Sequence, residues 1–425
     1  MTTERLVLVD GVRTPFCKMG TDLASLAPDE LGRVAVNALL THTGLDPALV
    51  DEVIFGCVGQ PADAANVARV IALRAGIPDR VPAVTVHRNC ASGFEALTQA
   101  FEKMAAGRGT VFIVGGTESM SQMPLCYPQT AAKKFAALSR AKTFGARLSA
   151  IANFRPSDFK PRIALQLGLT DPVCGMNMGE TAEVLARDFG ITRDEQDRFA
   201  VQSHHRAAAA REKLAAEITP VFAGNKTVTA DNGIRADQTL EALSKLKPVF
   251  DRKAGSVTAG NASQITDGAV ALLVMAESRA QALGVEPLAA LTTYACAGCE
   301  PKRMGLGPVF AIARAEAQSG LTLADADVVE INEAFAAQVL ACLKAAASPD
   351  FARKLLGREN ALGDIAPDRL NVNGGSIALG HPVGSTGARL VLSAAKELRR
   401  RNARRALVSL CVGGGQGAAI WLEKL

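Results

Sequence analysis

An α/β fold built on a mostly parallel, helix-covered sheet is predicted by three observations. Short apolar runs alternate with helix-period segments through the first part of the chain, and the same alternation returns from Val249. A weak internal echo suggests two copies of one α/β unit.

The elements follow in order. Arg5–Asp10 has the pattern of a strand, not of a signal peptide. Helical periodicity in Glu30–Leu40, Asn66–Ala75 and Cys90–Ala106 is interleaved with strand-like Val53–Phe55, Val81–Val86 and Val111–Val114. Residues 122–248 break the rhythm. Their first part, Ala131–Arg162, holds basic residues 133, 134, 140, 142, 147, 155, 160 and 162 against one acid, Asp158. Phe135, Leu138, Phe144, Leu148, Ile151 and Phe154 are interleaved with them. Helices follow at Gly179–Phe189 and Arg193–Glu217, the second opened by a Thr192–Glu195 capping box. Later strands are Ala269–Ala276, Leu288–Tyr294, Val328–Ile331, Ala406–Cys411 and Ala418–Leu422. Helices fit Pro308–Ser319, Ala334–Ala347 and Gly384–Arg400. In the echo, Asn89-Cys-Ala-Ser-Gly93, a helix, a strand and Gly115-Gly116 are repeated as Asn371-Val-Asn373, a helix, a strand and Gly413-Gly414.

With 425 residues the chain is long enough for about three units at roughly 150 residues each. Aromatic residues are only 4%, which argues against a stacking platform for single-stranded nucleic acid, and no nucleic-acid partner is expected. The net charge of +5 suits an anionic small molecule. The nine cysteines are odd in number and scattered, so free thiols in a reducing, cytoplasmic setting are expected. No apolar run is long enough for a membrane span.

Four segments could carry chemistry. Cys90 follows a strand and opens a helix, where the macrodipole and free N–H groups would lower its pKa. The plain alternative is a buried, inert cysteine. His381 sits in the run from Asn373 to Arg389, the chain's most glycine-rich loop, and could be a general base beside a thiol. It could equally be a structural histidine in a glycine connector. Cys411, followed by Gly413-Gly414-Gly415, could pair an acid/base with an oxyanion site, or simply mark a glycine hairpin. Asn332-Glu-Ala-Phe335 lies between a strand and a helix, and could orient a water or cap the helix. Cys296-Ala-Gly-Cys299 has metal or redox spacing but no second pair, so no metal site is expected. His204-His205 lies in a polar helix and is expected to be exposed.

Taken together, Asn89-Cys-Ala-Ser-Gly93, Asn332-Glu-Ala-Phe335, Gly380-His-Pro382 and Cys411-Val-Gly-Gly-Gly415 resemble the four catalytic motifs of the thiolase family, in the family's order. Gly255–Ser263 and Gly115–Met120 also resemble thiolase segments. The resemblance implies a thiolase fold: two fused α/β halves in a five-layer α-β-α-β-α arrangement with an inserted loop domain. By position, 1–121 completed by 249–279 would be the first half, 122–248 the loop domain, and 280–425 the second half. It implies Cys90 as acylated nucleophile and His381 as its activator. A water on Asn332 would share one oxyanion hole with His381, and the N–H groups of Cys90 and Gly413 would form the other. Cys411 would be the second acid/base. Arg235 and Ser263 fall where the family contacts coenzyme A, which would be a co-substrate, with no permanently bound cofactor. Asn177-Met-Gly179 stands where related thiolases often have His, and Ala242 where a Ser is common near the adenine.

The implied reaction is thiolysis of a 3-ketoacyl-CoA, as in the thiolase subunit of fatty-acid oxidation complexes. A biosynthetic acetoacetyl-CoA thiolase is one alternative, and a non-catalytic lipid-binding protein on the same scaffold another. The resemblance further implies a homodimer or homotetramer, and it leaves room for a hydratase/dehydrogenase partner subunit. The basic insert 131–162 suits peripheral membrane contact, or else a tetramerisation or cofactor-facing loop.

Overall fold

The computed structural model describes residues 4–425. The chain begins with β1 (Leu6–Arg13), α1 (Pro28–Thr43), β2 (Glu52–Gly56) and α2 (Val67–Arg74). It continues with β3 (Ala83–Val86), α3 (Ser92–Ala105) and β4 (Val111–Glu118). The inserted segment carries α4 (Gln129–Arg140), α5 (Phe144–Ala152), α6 (Met178–Asp188) and α7 (Arg193–Ala209). Then come β5 (Thr266–Ala276), β6 (Ala289–Gly298), α8 (Gly307–Ser319), β7 (Val328–Ile331) and α9 (Ala336–Ala346). The chain closes with α10 (Val383–Arg401), β8 (Arg405–Val412) and β9 (Gln416–Glu423).

Local rules set these elements. α1 starts on Pro28 with Asp29 and Glu30 in its first turn, and stops where left-handed Gly44 returns its N–H to Leu40. The Thr192–Glu195 capping box opens α7 as expected. The helix expected across Arg193–Glu217 is interrupted: Ala210 leaves helical geometry, and a short helix resumes at Arg211–Ala215.

The sheet is mixed rather than mostly parallel. Its order is β7-β8-β9-β6-β1-β5-β4-β2-β3, with Cys17–Lys18 pairing beside β5 to make ten strands. Among the described residues, parallel strand-to-strand pairing is confined to β2–β3, β2–β4 and β7–β8, apart from isolated bridges. These are the places where helix crossovers link the strands. Antiparallel pairing arises elsewhere because β5 arrives after the long insertion and β8–β9 is a tight hairpin. Strand–helix alternation in sequence does not reveal either. β1 pairs with both β5 and β6, so hydrogen bonds join the two halves.

Alternate side chains build separate cores on the two faces. In β5, Val270, Leu272 and Val274 face an inner core that holds residues of α3, α10 and strands of both halves. Ala271, Leu273 and Met275 face an outer core with α1 and α2. In β9, Ile420 and Leu422 point inward, while Ala419 and Trp421 meet α8 and α9 in a third core. The result is a five-layer α-β-α-β-α arrangement, with α3 and α10 as the central layer.

Those two helices cross at glycines. A Cβ on Gly387 would lie 2.6 Å from the backbone nitrogen of Phe94, and one on Gly93 2.6 Å from that of Ala388. Only glycine permits this approach, which sets the N-terminal ends of α3 and α10 side by side. The echo between the halves has a backbone signature as well. Asn89 and Asn371 occupy the same left-handed region, with φ of 42° and 44°.

The basic insert forms α4 and α5. Tyr127, Phe135, Phe154 and Phe159 make a small aromatic cluster beneath them. Phe144, Leu148 and Ile151, spaced along one face of α5, are 83%, 59% and 54% exposed. No helix among the described residues is long and apolar enough to cross a membrane.

Candidate active site

Cys90 lies in the tight turn between β3 and α3, two residues before the helix starts. The turn exists because Asn89 adopts φ 42°, which Asn tolerates better than most residues. The Asn89 backbone oxygen accepts from Ser92 Oγ at 2.7 Å, and Ser92 Oγ accepts from the Arg88 N–H at 2.9 Å. Asn89 Nδ2 donates to the Gly413 carbonyl at 2.7 Å. The Gly413 N–H, which belongs to the preceding peptide, and the N–H of Cys90 itself both favour the Cys90 thiolate. Cys90 is partly buried, and burial pushes its thiol above the ordinary range while the two N–H groups pull it back. The lowered pKa expected from the helix end is therefore not found: desolvation outweighs the local donors. At neutral pH the group is a thiol that needs a base.

His381 precedes α10 and is buried. Its Nδ1 lies 2.6 Å from Thr386 Oγ1. The Thr386 hydroxyl proton is directed to the Pro382 carbonyl at 3.0 Å, so Oγ1 accepts from Nδ1–H. That places the imidazole lone pair on Nε2, which has no hydrogen-bond partner among the described residues. Burial, and then the Arg389 charge, lower its pKa to about 4. The imidazole is neutral at pH 7, with its basic nitrogen free.

Cys411 lies inside β8 and is buried, which raises its thiol well above the ordinary range; the nearby Cys90 adds to the effect. It shares an apolar cluster with Phe335 and Met178. The hairpin after it turns on Gly414 (φ 90°) and Gly415 (φ 81°). Asn332 follows β7 and is fully buried. It does not cap the next helix, whose cap is Phe335. Its Oδ1 accepts from Ser376 Oγ at 2.6 Å, and its Nδ2 has no partner among the described residues.

A cavity of about 610 Å³ is walled mainly by segments 169–265, with Lys18, Phe335 and Ile377 at its edges, and Arg235 and Ser263 both line it. Met178 and Phe335 form part of its wall, and they pack against Cys411. Lys18 and Arg235 supply positive charge; burial, and then Arg235, lower the Lys18 pKa. Such a wall suits an anionic ligand with an apolar portion. Asn177 caps α6, accepting from the Gly179 N–H at 3.0 Å, and also lines the cavity. Ala242 lies in a short helix, Leu240–Ser244.

Sequence reasoning misplaced His204. His205 is exposed, but His204 is buried, accepts the Arg235 N–H on Nδ1 at 3.2 Å, and lines the cavity. Burial, then Arg235 and Lys18, lower its pKa to about 4. Asn89, Thr386, Ser376 and Lys18 were also missed; the left-handed turn that Asn89 permits was the one signal available. Cys296 and Cys299 are free thiols, and no cluster of three or more metal-binding side chains exists among the described residues.

Two family models match: "Thiolase, N-terminal domain" over residues 6–278 and "Thiolase, C-terminal domain" over 285–424. A 3-ketoacyl-CoA thiolase of Pectobacterium carotovorum is 41% identical over 99% of this chain and 97% of that protein. One from Yersinia enterocolitica is 40% identical with the same coverage. The crystal structure of the Bacillus anthracis acetyl-CoA acetyltransferase superposes with a TM-score of 0.87 at 37% identity, covering 100% of this chain and 99% of that one. Human mitochondrial 3-ketoacyl-CoA thiolase in complex with CoA gives 0.85 at 37% identity, covering 100% and 98%.

Proposed function

Because this chain belongs to the thiolase family, we infer that it is an acyltransferase that cleaves 3-ketoacyl-CoA with coenzyme A, as in fatty-acid β-oxidation. The products are acetyl-CoA and an acyl-CoA two carbons shorter. The observation that carries the site assignment is the convergence of the Gly413 and Cys90 N–H groups on the Cys90 sulfur, beside a second buried thiol, Cys411.

His381 Nε2 takes the Cys90 proton, and the sulfur attacks the keto carbon. The N–H groups of Cys90 and Gly413 receive the oxyanion. The C2–C3 bond breaks, and its electrons pass to the enolate of acetyl-CoA. His381 and a water on Asn332 Nδ2 stabilise that enolate, and Cys411 protonates its carbon. Cys411, now a thiolate, takes the proton of the coenzyme A thiol as that sulfur attacks acyl-Cys90; the leaving Cys90 sulfur takes back the proton held by His381, which releases the shortened product and the free enzyme. Arg235, Ser263 and the Lys18 side of the cavity hold coenzyme A, the co-substrate.

We assign 1–121 with 249–279 to the first half, 122–248 to the loop domain and 280–425 to the second half. The protein acts as a cytoplasmic homo-oligomer, and a hydratase/dehydrogenase subunit is a natural partner for its substrate. β3 supports a dimer, since it ends the sheet with one unpaired edge. The exposed face of α5, amid basic residues, supports peripheral contact with anionic lipid. Sedimentation with anionic vesicles checks this contact; equal binding after deletion of 131–162 contradicts it.

The direct test is thiolysis of 3-ketoacyl-CoAs from acetoacetyl-CoA to long chain, with Cys90→Ala as control. Turnover that depends on Cys90 is expected. Absence of turnover at every length, with folded protein, refutes the activity.

A further inference from the structure

We propose that Ser376, held by Arg389, is a positioning residue that fixes which end of the Asn332 carboxamide faces the enolate. The proposal rests on the enolate step described above and adds two residues to it.

The argument is one of hydrogen-bond polarity. Asn332, Ser376 and Arg389 are all buried. Arg389 Nη2 lies 3.3 Å from Ser376 Oγ, and Ser376 Oγ lies 2.6 Å from Asn332 Oδ1. A guanidinium can only donate, so the serine oxygen accepts from Arg389. The serine has one proton, and its partner is Asn332 Oδ1. The carboxamide oxygen is thereby drawn inward, and Nδ2, a donor, becomes the free end. In the reverse orientation Ser376 would meet donors from both sides, and an oxygen dipole would face the developing negative charge. An apolar residue in place of Ser376 would remove this choice, because the carboxamide could then turn either way.

Both partners are held from behind. Arg389 Nη1 is 3.6 Å from the buried Glu330 carboxylate. The backbone next to Ser376 is tied to the Glu333 carboxylate, which accepts from the Ile377 N–H at 3.2 Å. Glu333 is fixed in turn by Ser203 at 2.6 Å and Asn371 at 2.9 Å. This carboxylate acts on the segment, not on Asn332, so among the described residues Ser376 is the one side chain hydrogen-bonded to the carboxamide.

Two partial reactions separate the proposal from a structural role. Exchange of labelled coenzyme A into acetyl-CoA needs acylation of Cys90 and not the enolate. Deuterium exchange into C2 of acetyl-CoA needs the enolate. Ser376→Ala should slow C2 exchange about 10- to 100-fold, somewhat less than deleting an oxyanion donor outright, and change coenzyme A exchange by less than about 2-fold. Ser376→Thr, which keeps the hydroxyl, should restore most of the C2 exchange. If Ser376→Ala does not fold, Ser376→Cys supplies the same comparison, with a weak donor of similar size. Equal loss of both exchanges, or loss of neither, overturns the proposal. Wild-type protein that exchanges coenzyme A but not C2 overturns the enolate step itself, and the proposal with it.

Discussion

Asn89 donates a 2.7 Å hydrogen bond to the backbone carbonyl of Gly413, 324 residues further along the chain. One side-chain amide thus anchors Gly413, whose own N–H, in the preceding peptide, favours the Cys90 thiolate. Asn89→Gly keeps the left-handed turn but loses the donor. It should lower kcat about 10- to 100-fold with little change in the KM for coenzyme A. Asn89→Asp, which presents an acceptor to the Gly413 carbonyl, should be at least as impaired. Steady-state kinetics on both variants decides; full activity in either removes Asn89 from the site.

Thr386 selects the tautomer of His381. Thr386→Val preserves shape and removes the acceptor of Nδ1–H, so the proton is free to move to Nε2. Turnover should fall at least about 10-fold, because a general base in the wrong tautomer cannot take the thiol proton. Nitrogen NMR of labelled histidine should show the Nε2 resonance shift toward the protonated form. An unchanged spectrum would rule out this account.

pH dependence follows from burial. His381 has a folded pKa of about 4 against an ordinary 6.5. Between these values the unfolded chain binds the extra proton. The histidine's contribution to stability is therefore full above about pH 6.5 and is lost as pH falls toward 4. Glu118 and Glu330, raised to about 7 and about 8, act in the opposite sense: their contribution is present at acid pH and lost as pH rises through those values. Activity reports His381 more directly. The acid limb of kcat/KM should lie well below pH 6.5. Alkylation of resting Cys90 should still be accelerating above pH 9, since burial raises that thiol. An alkylation plateau at neutral pH would contradict both the burial argument and the need for a base.

Gly387→Ala places a methyl 2.6 Å from the Phe94 backbone nitrogen, where nothing flexible can yield. The central helices must part, at a cost of about 1–3 kcal/mol or more. Urea unfolding should show that loss, and activity should fall further than stability because the ends carrying Cys90 and His381 separate. A variant with native activity and stability would refute the close crossing.

Lys18 and Arg235 give the cavity its positive charge. Removing both, as Lys18→Gln with Arg235→Gln, should raise the KM for coenzyme A about 10-fold and weaken its dependence on salt. An unchanged KM in the double variant would place the phosphates elsewhere.

The candidate side chains could be singled out because each lies in a local pattern with few explanations. Cys90 and Cys411 adjoin strands and glycines, and His381 sits in the richest glycine run. Asn89, Thr386 and Ser376 are common polar residues whose roles depend on partners distant in the chain or on a turn's geometry, and no periodicity reveals either. His204 was misjudged because α7 is polar overall; the backbone of Arg235 folds over that one face and buries it. Mixed strand direction was hidden for a similar reason. The antiparallel pairing of β4 with β5 joins segments separated by the whole insertion.

The hydrogen bond from Asn89 to Gly413 also has a meaning for protein synthesis. A ribosome releases Cys90 long before the hairpin that holds Cys411 and Gly413. Until β9 slots between β8 and β6, the nascent polypeptide carries an unactivated sulfhydryl and nothing more. Chemical competence arrives as a late event, because the second thiol and the Gly413 donor are the last parts of the site to be made.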